Sequence, residues 1–405
     1  MNSEVPQSAG EHAGLPLAGI RVVAIEQAVA APLATRHLAD LGAEVIKVER
    51  IGEGDFARAY DSYVNGLASH FVWLNRGKRS VALDLKSARG RELVAELIGT
   101  ADVFIQNFAP GAVDRGGLGA EQLRATHPRL VVVNLSGYGT AGPKAQRKAY
   151  DMLVQAETGL ISITGTPETP TKTGIPTADI AAALYALTSV LGGLFRRERT
   201  GVGAVVDVSM FDATVEWLGH PMYVQMYAGH QLPRMGLSHA AIAPYDAYPT
   251  RDGEVLTGVQ NDRGWDLLCR KVLGDDQLAE DPRFATNKLR VTHRHEVDGL
   301  VAERTRSWGT AELEQRLVDA GVPAAQLNDM AGLVVHPQLS ARDRWREIGT
   351  ETGPIQAVLP PMTFRDTELA MGDVPALGQH TDTVLTGLGI DAEEIARLRH
   401  DLVVG

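Results

Sequence analysis

The chain of 405 residues contains one cysteine, Cys269. That scarcity excludes an intrachain disulfide and a cysteine-based zinc site, and it suits a reducing, cytoplasmic compartment. Cys269 lies among Trp265, Leu267, Leu268 and Val272, the setting of a packed core thiol. No Lys/Arg run occurs, and a formal net charge of −11 is spread along the chain, so no nucleic-acid partner is expected. No H-E-x-x-H occurs, and His293 and His295, two apart on a predicted helix, face different ways; no catalytic metal and no permanently bound cofactor are expected. Residues 28–31 read AVAA after the first predicted strand, so the G-x-G-x-x-G dinucleotide fingerprint is missing. Residues 1–16 lack the basic and apolar regions of a secretory signal and read as a flexible tail. The most apolar helical run, residues 180–195, falls short of the ~20 residues that cross a bilayer, and reads as a buried helix with no membrane partner.

What is present is an ordinary globular composition, 44% hydrophobic and 22% charged, over a length that exceeds a single core. Residues 20–25 form a strand-like run, Pro32 opens a helical stretch to Gly42, and residues 44–49 return as a strand. The alternation continues with strand 81–85, helix 87–98, strand 103–106, helix 120–126 and strand 130–135. A helix over 180–199, ending in Arg196, Arg197 and Arg199, precedes a strand at 204–208. The prediction is an α/β fold: a large Rossmann-like lobe over 17–220 with a parallel sheet covered on both faces. A smaller α+β lobe over 221–338 follows, and residues 339–405 return to the large lobe and close with a C-terminal helix.

Asp179, in Gly174-Ile-Pro-Thr-Ala-Asp-Ile-Ala-Ala-Ala-Leu, stands where that apolar helix begins. Two readings share one physics: an N-cap aspartate, or an ionised, accessible carboxylate poised to attack a thioester. The turn Gly137-Tyr-Gly-Thr-Ala-Gly-Pro-Lys, with Gly137 and Gly139, could turn backbone N–H groups toward an oxyanion, and Tyr150-Asp151 follow it. Arg50, Lys86, Arg115 and Lys148 fall near predicted strand ends, where α/β folds bind ligands.

Several motifs, in order, carry a resemblance over nearly the whole chain. They are Pro16-Leu-Ala-Gly-Ile-Arg-Val-Val, Gly42-Ala-Glu-Val-Ile-Lys-Val-Glu-Arg and Asn75-Arg-Gly-Lys-Arg-Ser-Val-Ala-Leu-Asp-Leu-Lys. Gln106-Asn-Phe-Ala-Pro-Gly-Ala-Val-Asp-Arg, Ser136-Gly-Tyr-Gly, Thr200-Gly-Val-Gly-Ala-Val-Val-Asp-Val-Ser and Leu377-Gly-Gln-His-Thr follow. Together they resemble the family III coenzyme A transferases, typified by formyl-CoA transferase and including α-methylacyl-CoA racemases. The resemblance implies that Asp179 is the nucleophile, that Tyr150 and Asp151 support it, and that Val29, Arg50, Leu83, Lys86, Asn107, Phe108, Arg115 and Lys148 line the coenzyme A site. It further implies acyl-CoA and a small carboxylic acid as substrates, and an interlocked homodimer of ring-like chains.

Val29 stands where formyl-CoA transferase has a glutamine, and Gly236-Leu-Ser-His239 replaces its glycine-rich gating loop, so formate and oxalate are not the expected substrates. The racemase branch places a histidine where this chain has Tyr150, and a phenol of ordinary pKa ~10 is a poor base. Transferase is therefore favoured over racemase, and over a non-catalytic acyl-CoA sensor because Asp179 is retained. Gly54-Asp-Phe-Ala-Arg-Ala-Tyr-Asp looks most like the branch acting on mesaconate, itaconate, succinate or malate, including CoA transfer within mesaconyl-CoA. Arg58 is a candidate clamp for a substrate carboxylate, against the alternative of an exposed helix arginine, and His239 is a second substrate-side candidate.

Overall fold

The computed structural model describes residues 14–405, so the tail expected over 1–16 falls, but for its last three residues, outside the described residues. Two compact units emerge among the described residues: 14–160, 173–220 and 343–405 form the first, and 161–172 with 221–342 the second. Residues 161–172, expected in the large lobe, cluster with the second unit. Their backbone carbonyls explain it: Ser162 accepts from Gln231, Gly165 from the Gly236 N–H, and Thr166 and Pro167 from Arg234.

The first unit is built on six parallel strands: β1 (Arg21–Ile25), β2 (Glu44–Glu49), β3 (Lys78–Ala82), β4 (Val103–Gln106), β5 (Val131–Ser136) and β6 (Val205–Ser209). Their order is β3-β2-β1-β4-β5-β6. Side chains alternate between two cores, Val22 and Ala24 facing one and Val23 and Ile25 the other, as a strand covered on both faces requires. Helix α1 (Ala30–Asp40) and a later long helix cover the first face. Helix α2 (Ser69–Asn75) precedes β3, and α3 (Ala88–Gly99), α4 (Ala120–Thr126) and the C-terminal helices Thr381–Gly387 and Ala392–His400 place apolar residues on the second face.

β3 begins three residues earlier than the apolar pattern predicts, because Lys78 enters the sheet almost fully buried, its ammonium paired with Glu26 at 2.7 Å. After β5 come α5 (Asp151–Glu157) and α6 (Thr177–Thr200), and α7 (Met210–Trp217) follows β6. At 24 residues α6 exceeds the expected 180–199 and is long and apolar enough, by length and composition, to cross a membrane. Nevertheless Ala178, Ala181, Ala182, Ala183, Ala186 and Val190 are fully buried in the first core, where small side chains admit α1 through Ala30, Ala31 and Ala34.

The second unit holds a three-stranded antiparallel sheet of Tyr245–Pro249, Glu254–Gly258 and Ala324–Gln326. Its core includes Trp265, Phe284, Leu313, Leu317 and Cys269. Burial pushes the Cys269 thiol up to about 12, the behaviour of an inert packed sulfur.

Candidate active site

Between β1 and β4 the strand order reverses, and a crevice opens there beyond the carboxyl ends of the strands. Asn107 stitches its floor: the side-chain amide accepts from the Gln27 N–H (2.9 Å) and donates to the Gln27 carbonyl (2.8 Å). A cleft of about 800 Å³ lies alongside, lined by Gln27, Arg50, Phe56, Leu83, Lys86 and Phe108 among others. A second cavity of about 530 Å³ shares Arg50 and Phe56 with it. Arg50 and Lys86 share the lining with Glu53, which pairs with Arg50 at 3.4 Å, and with Asp84; beside Phe56, Leu83 and Phe108 the two cations suit an elongated ligand with an anionic and an apolar part that displaces the surface pair.

The structure thus gathers Arg50, Leu83, Lys86 and Phe108 from three chain segments, those that follow β2, β3 and β4. Asn107 serves from behind, as a clamp on Gln27. Val29 is buried as the residue before α1. Arg115 and Lys148 are exposed outside this lining. Gln27 and Phe56 were not found from the sequence; the switch point after β1 was the available signal for Gln27.

Asp179 is the third residue of α6, so it is not the N-cap, which is Pro176. The first amides of α6 are instead taken by Asp151, whose Oδ1 accepts from Ala178 N–H at 2.8 Å and Asp179 N–H at 3.3 Å. Gln155 Nε2 donates to Asp151 Oδ2 at 2.6 Å, and the buried Gln155 is itself held by Thr173. Relieved of capping, the Asp179 carboxyl is a different group from the ionised cap expected. Burial and the neighbouring Asp151 carboxylate push it up to about 7, opposed by one donor, the N–H of Ala30 in the first turn of α1.

Tyr60 feels both this carboxyl and a second tyrosine, Tyr150. Tyr150, 65% exposed, precedes α5, and Tyr60, 48% exposed, is pushed up to about 12 by burial, with Asp55, Asp179 and Tyr150 adding to the rise. Tyr60 sits within the quoted Gly54–Asp61 motif, yet nothing in its spacing announced a neighbour more than a hundred residues away.

The glycine turn contributes differently from the expectation. Gly139 N–H is engaged by the Ser136 hydroxyl at 3.0 Å, and the Gly137 carbonyl accepts from Phe211 N–H at 3.0 Å. A Cβ at Gly137 would lie 2.0 Å from the Cβ of Ala149, so glycine there lets the chain carrying Tyr150 and Asp151 approach β5. The backbone N–H that bears on the Asp179 carboxyl is that of Ala30 in α1 instead.

Arg58 lines the second cavity and is not an exposed helix arginine. Its guanidinium grips Glu49 through Nε and Nη2, both at 2.9 Å, donates to the Pro375 carbonyl, and lies 3.7 Å over the Phe71 ring. Glu49 belongs to a buried charge network: Lys47 pairs with Asp55 at 2.8 Å and Glu26 at 3.4 Å, and Lys78 with Glu26. Three carboxylates thus face three cations, which is what permits six ionisable groups under one crevice. His239 belongs to the second unit, stacked on Tyr245 with ring centroids 5.4 Å apart, its Nδ1 accepting from Ala241 N–H. Among the described residues no group of three or more His, Cys, Asp or Glu side chains is placed to hold a metal ion.

Comparison with known proteins gives the family. The model of CoA-transferase family III matches residues 17–381. The succinate–glutarate CoA-transferase of Agrobacterium fabrum is 36% identical, over 92% of this chain and 96% of its own. The succinyl-CoA:mesaconate CoA-transferase of Haloarcula marismortui is 31% identical, over 92% and 96%. A CaiB/BaiF family protein of Brucella suis, solved by crystallography, superposes with a TM-score of 0.81 at 36% identity, covering 92% of this chain and 99% of that one.

Proposed function

The chain belongs to the family III coenzyme A transferases, and from that premise we propose that it moves coenzyme A between four- and five-carbon dicarboxylates through covalent intermediates on Asp179. The observation that carries this reading is the arrangement around Asp179: Asp151 takes the first amides of α6, which leaves the Asp179 carboxyl, raised to about 7, without that role, and the segment between β1 and α1 lines the cleft through Gln27. Dicarboxylates are supported by the relatives named for succinate, glutarate and mesaconate.

Asp179 attacks the thioester carbonyl, the C–S bond breaks, and an aspartyl mixed anhydride forms with release of the CoA thiolate. The thiolate attacks the aspartyl carbonyl and expels the donor acid, leaving an aspartyl-CoA thioester. The acceptor carboxylate attacks that carbonyl, giving a second anhydride, and the thiolate then takes the new acyl group and frees Asp179. Each carbonyl is exchanged for one of similar energy, so no ATP is needed. The Ala30 N–H is the backbone group that favours negative charge on the carboxyl that becomes the tetrahedral centre, while Arg50 and Lys86 suit the phosphates and Phe56, Leu83 and Phe108 the apolar body of the thioester.

The family resemblance extends to an interlocked homodimer, a reading supported by the exposed Phe195 and Trp217 of α6 and α7 and tested by sedimentation. For the reaction, succinyl-CoA is incubated in D2O with glutarate, mesaconate, itaconate or malate, and every ester is followed by chromatography and mass spectrometry. New CoA esters are expected, and Asp179→Ala abolishes them; near-normal turnover in that variant overturns the assignment. Isomerisation of mesaconyl-CoA without an acceptor marks intramolecular transfer, and deuterium gained at the α-carbon of a methyl-branched ester marks a racemase instead.

A further inference from the structure

We propose that Asp55, a residue that the transfer chemistry does not use, is a positioning residue: it locks Ala28 in a left-handed conformation and thereby sets the start of α1, with the Ala30 N–H, beside Asp179.

Residues 26–28 join β1 to α1, and side chains from three separate segments grip their backbone. Lys47 Nζ donates to the Glu26 carbonyl (3.4 Å), Asn107 brackets both polar groups of Gln27, and Asp55 Oδ1 accepts from the Ala28 N–H (3.1 Å). Ala28 has φ +62°, a region costly to residues with a Cβ. Such a conformation persists only where its surroundings over-determine it, and such residues concentrate at functional sites. What this one accomplishes is visible two residues on. The turn ends at Val29, and Ala30, the first residue of α1, packs in one core with Ala178, which places its N–H near enough to the Asp179 carboxyl to favour the ionised form.

Asp55 is built for this task. Its Oδ1 also accepts from Ala57 N–H at 2.9 Å, its Oδ2 is fixed by Lys47 at 2.8 Å, and its own N–H donates to Glu49 Oε2 at 2.9 Å. Glu49 is held in turn by Arg58 and by the Ser80 hydroxyl at 2.7 Å. The side chain is therefore immobile on both oxygens, and the chain that carries it continues into Phe56 at the cleft rim. One carboxylate connects the wall of the cleft to the turn that presents Ala30.

The proposal rests on the transferase reading, and two kinds of measurement separate its failure from the failure of that reading. In Asp55→Asn one oxygen must serve either Lys47 or the Ala28 and Ala57 amides; the lysine charge wins, and Ala28 is released. The expected result is a fall in kcat for CoA exchange of at least about tenfold, with KM for acyl-CoA changed less than about threefold. Adding Ala28→Gly in the Asp55→Asn background supplies a residue at ease with positive φ and recovers at least about threefold of kcat. Ala28→Val, which leaves every buried charge in place, lowers kcat in the same manner and tests the idea even if Asp55→Asn does not fold. Unchanged kcat in Ala28→Val, a change confined to KM in Asp55→Asn, or no recovery from the glycine overturns the proposal. Hydrogen exchange of the amides at 26–31 reports placement whatever reaction the enzyme performs: faster exchange there in Asp55→Asn supports positioning, and unchanged protection refutes it. A wild-type chain that moves no CoA would defeat the functional reading alone.

Discussion

Replacing Asp179 by Asn abolishes transfer, and it should also stabilise the protein in a pH-dependent way. The Asp179 carboxyl rises from 3.8 to about 7 on folding, chiefly by burial and then by Asp151. At ~1.4 kcal/mol for each tenfold change in proton affinity, holding it ionised costs the folded state about 4 kcal/mol, an upper limit because the group keeps some contact with water. The sign follows from proton counting. Between pH 3.8 and about 7 the folded chain binds more protons than the unfolded one, so wild-type stability falls as pH rises through that window. Asparagine has no charge to bury and still offers an oxygen to Ala30. Asp179→Asn should therefore gain up to about 4 kcal/mol at pH 8, several degrees of Tm, and nothing at pH 3.5. Differential scanning calorimetry of both proteins across pH 3.5–8 measures it. A gain independent of pH, or a loss of stability at pH 8, refutes the account of a desolvated, repelled carboxyl.

The same carboxyl places the ascending limb of kcat/KM near pH 7, and Asp151→Asn, which removes the like charge while keeping an acceptor for Ala178, moves that limb to lower pH in a pH–rate profile. Arg50→Ala and Lys86→Ala each raise the KM for acyl-CoA about tenfold, ~1.4 kcal/mol, with kcat nearly unchanged in steady-state assays. Arg58→Ala leaves the fully buried Glu49 side chain without its bidentate partner and costs about 3–5 kcal/mol in a urea titration; lost affinity for dicarboxylates at unchanged stability would instead restore the substrate clamp. Gly137→Ala forces Ala149 aside, lowering stability by about 1–3 kcal/mol and, by displacing Tyr150 and Asp151, turnover at least tenfold.

The doubly wound sheet was legible because strands buried on both faces leave unbroken apolar runs, as in Val22–Ile25, and because short turns separate them from helices. The start of β3 was not, since Lys78 and Arg79 read as solvent-facing while the first is buried against Glu26. No local pattern reveals a charge whose partner lies 52 residues away. The same blindness affects the site. Asp179 could be located by its place before an apolar helix, yet whether it capped that helix depended on Asp151, 28 residues upstream. Arg58 looked available because its partner Glu49 belongs to another element, and Ala28, an unremarkable letter, gains meaning only from its dihedral angle.

The division of labour between the two aspartates resolves an apparent conflict in using a helix start for nucleophilic catalysis. A carboxylate that accepted the first amides of its own helix would be held ionised but with its lone pairs engaged and its basicity lowered. Here Asp151 takes those amides, and its charge then works against Asp179, which keeps a single donor from α1. Acylation, like protonation, removes the negative charge from Asp179. The energy that opposes its ionisation, up to about 4 kcal/mol, is therefore released when the anhydride or the aspartyl-CoA thioester forms. Covalent capture draws on the same interaction that raises the proton affinity, so a change at Asp151 that flattens the pH dependence of stability must also slow acylation.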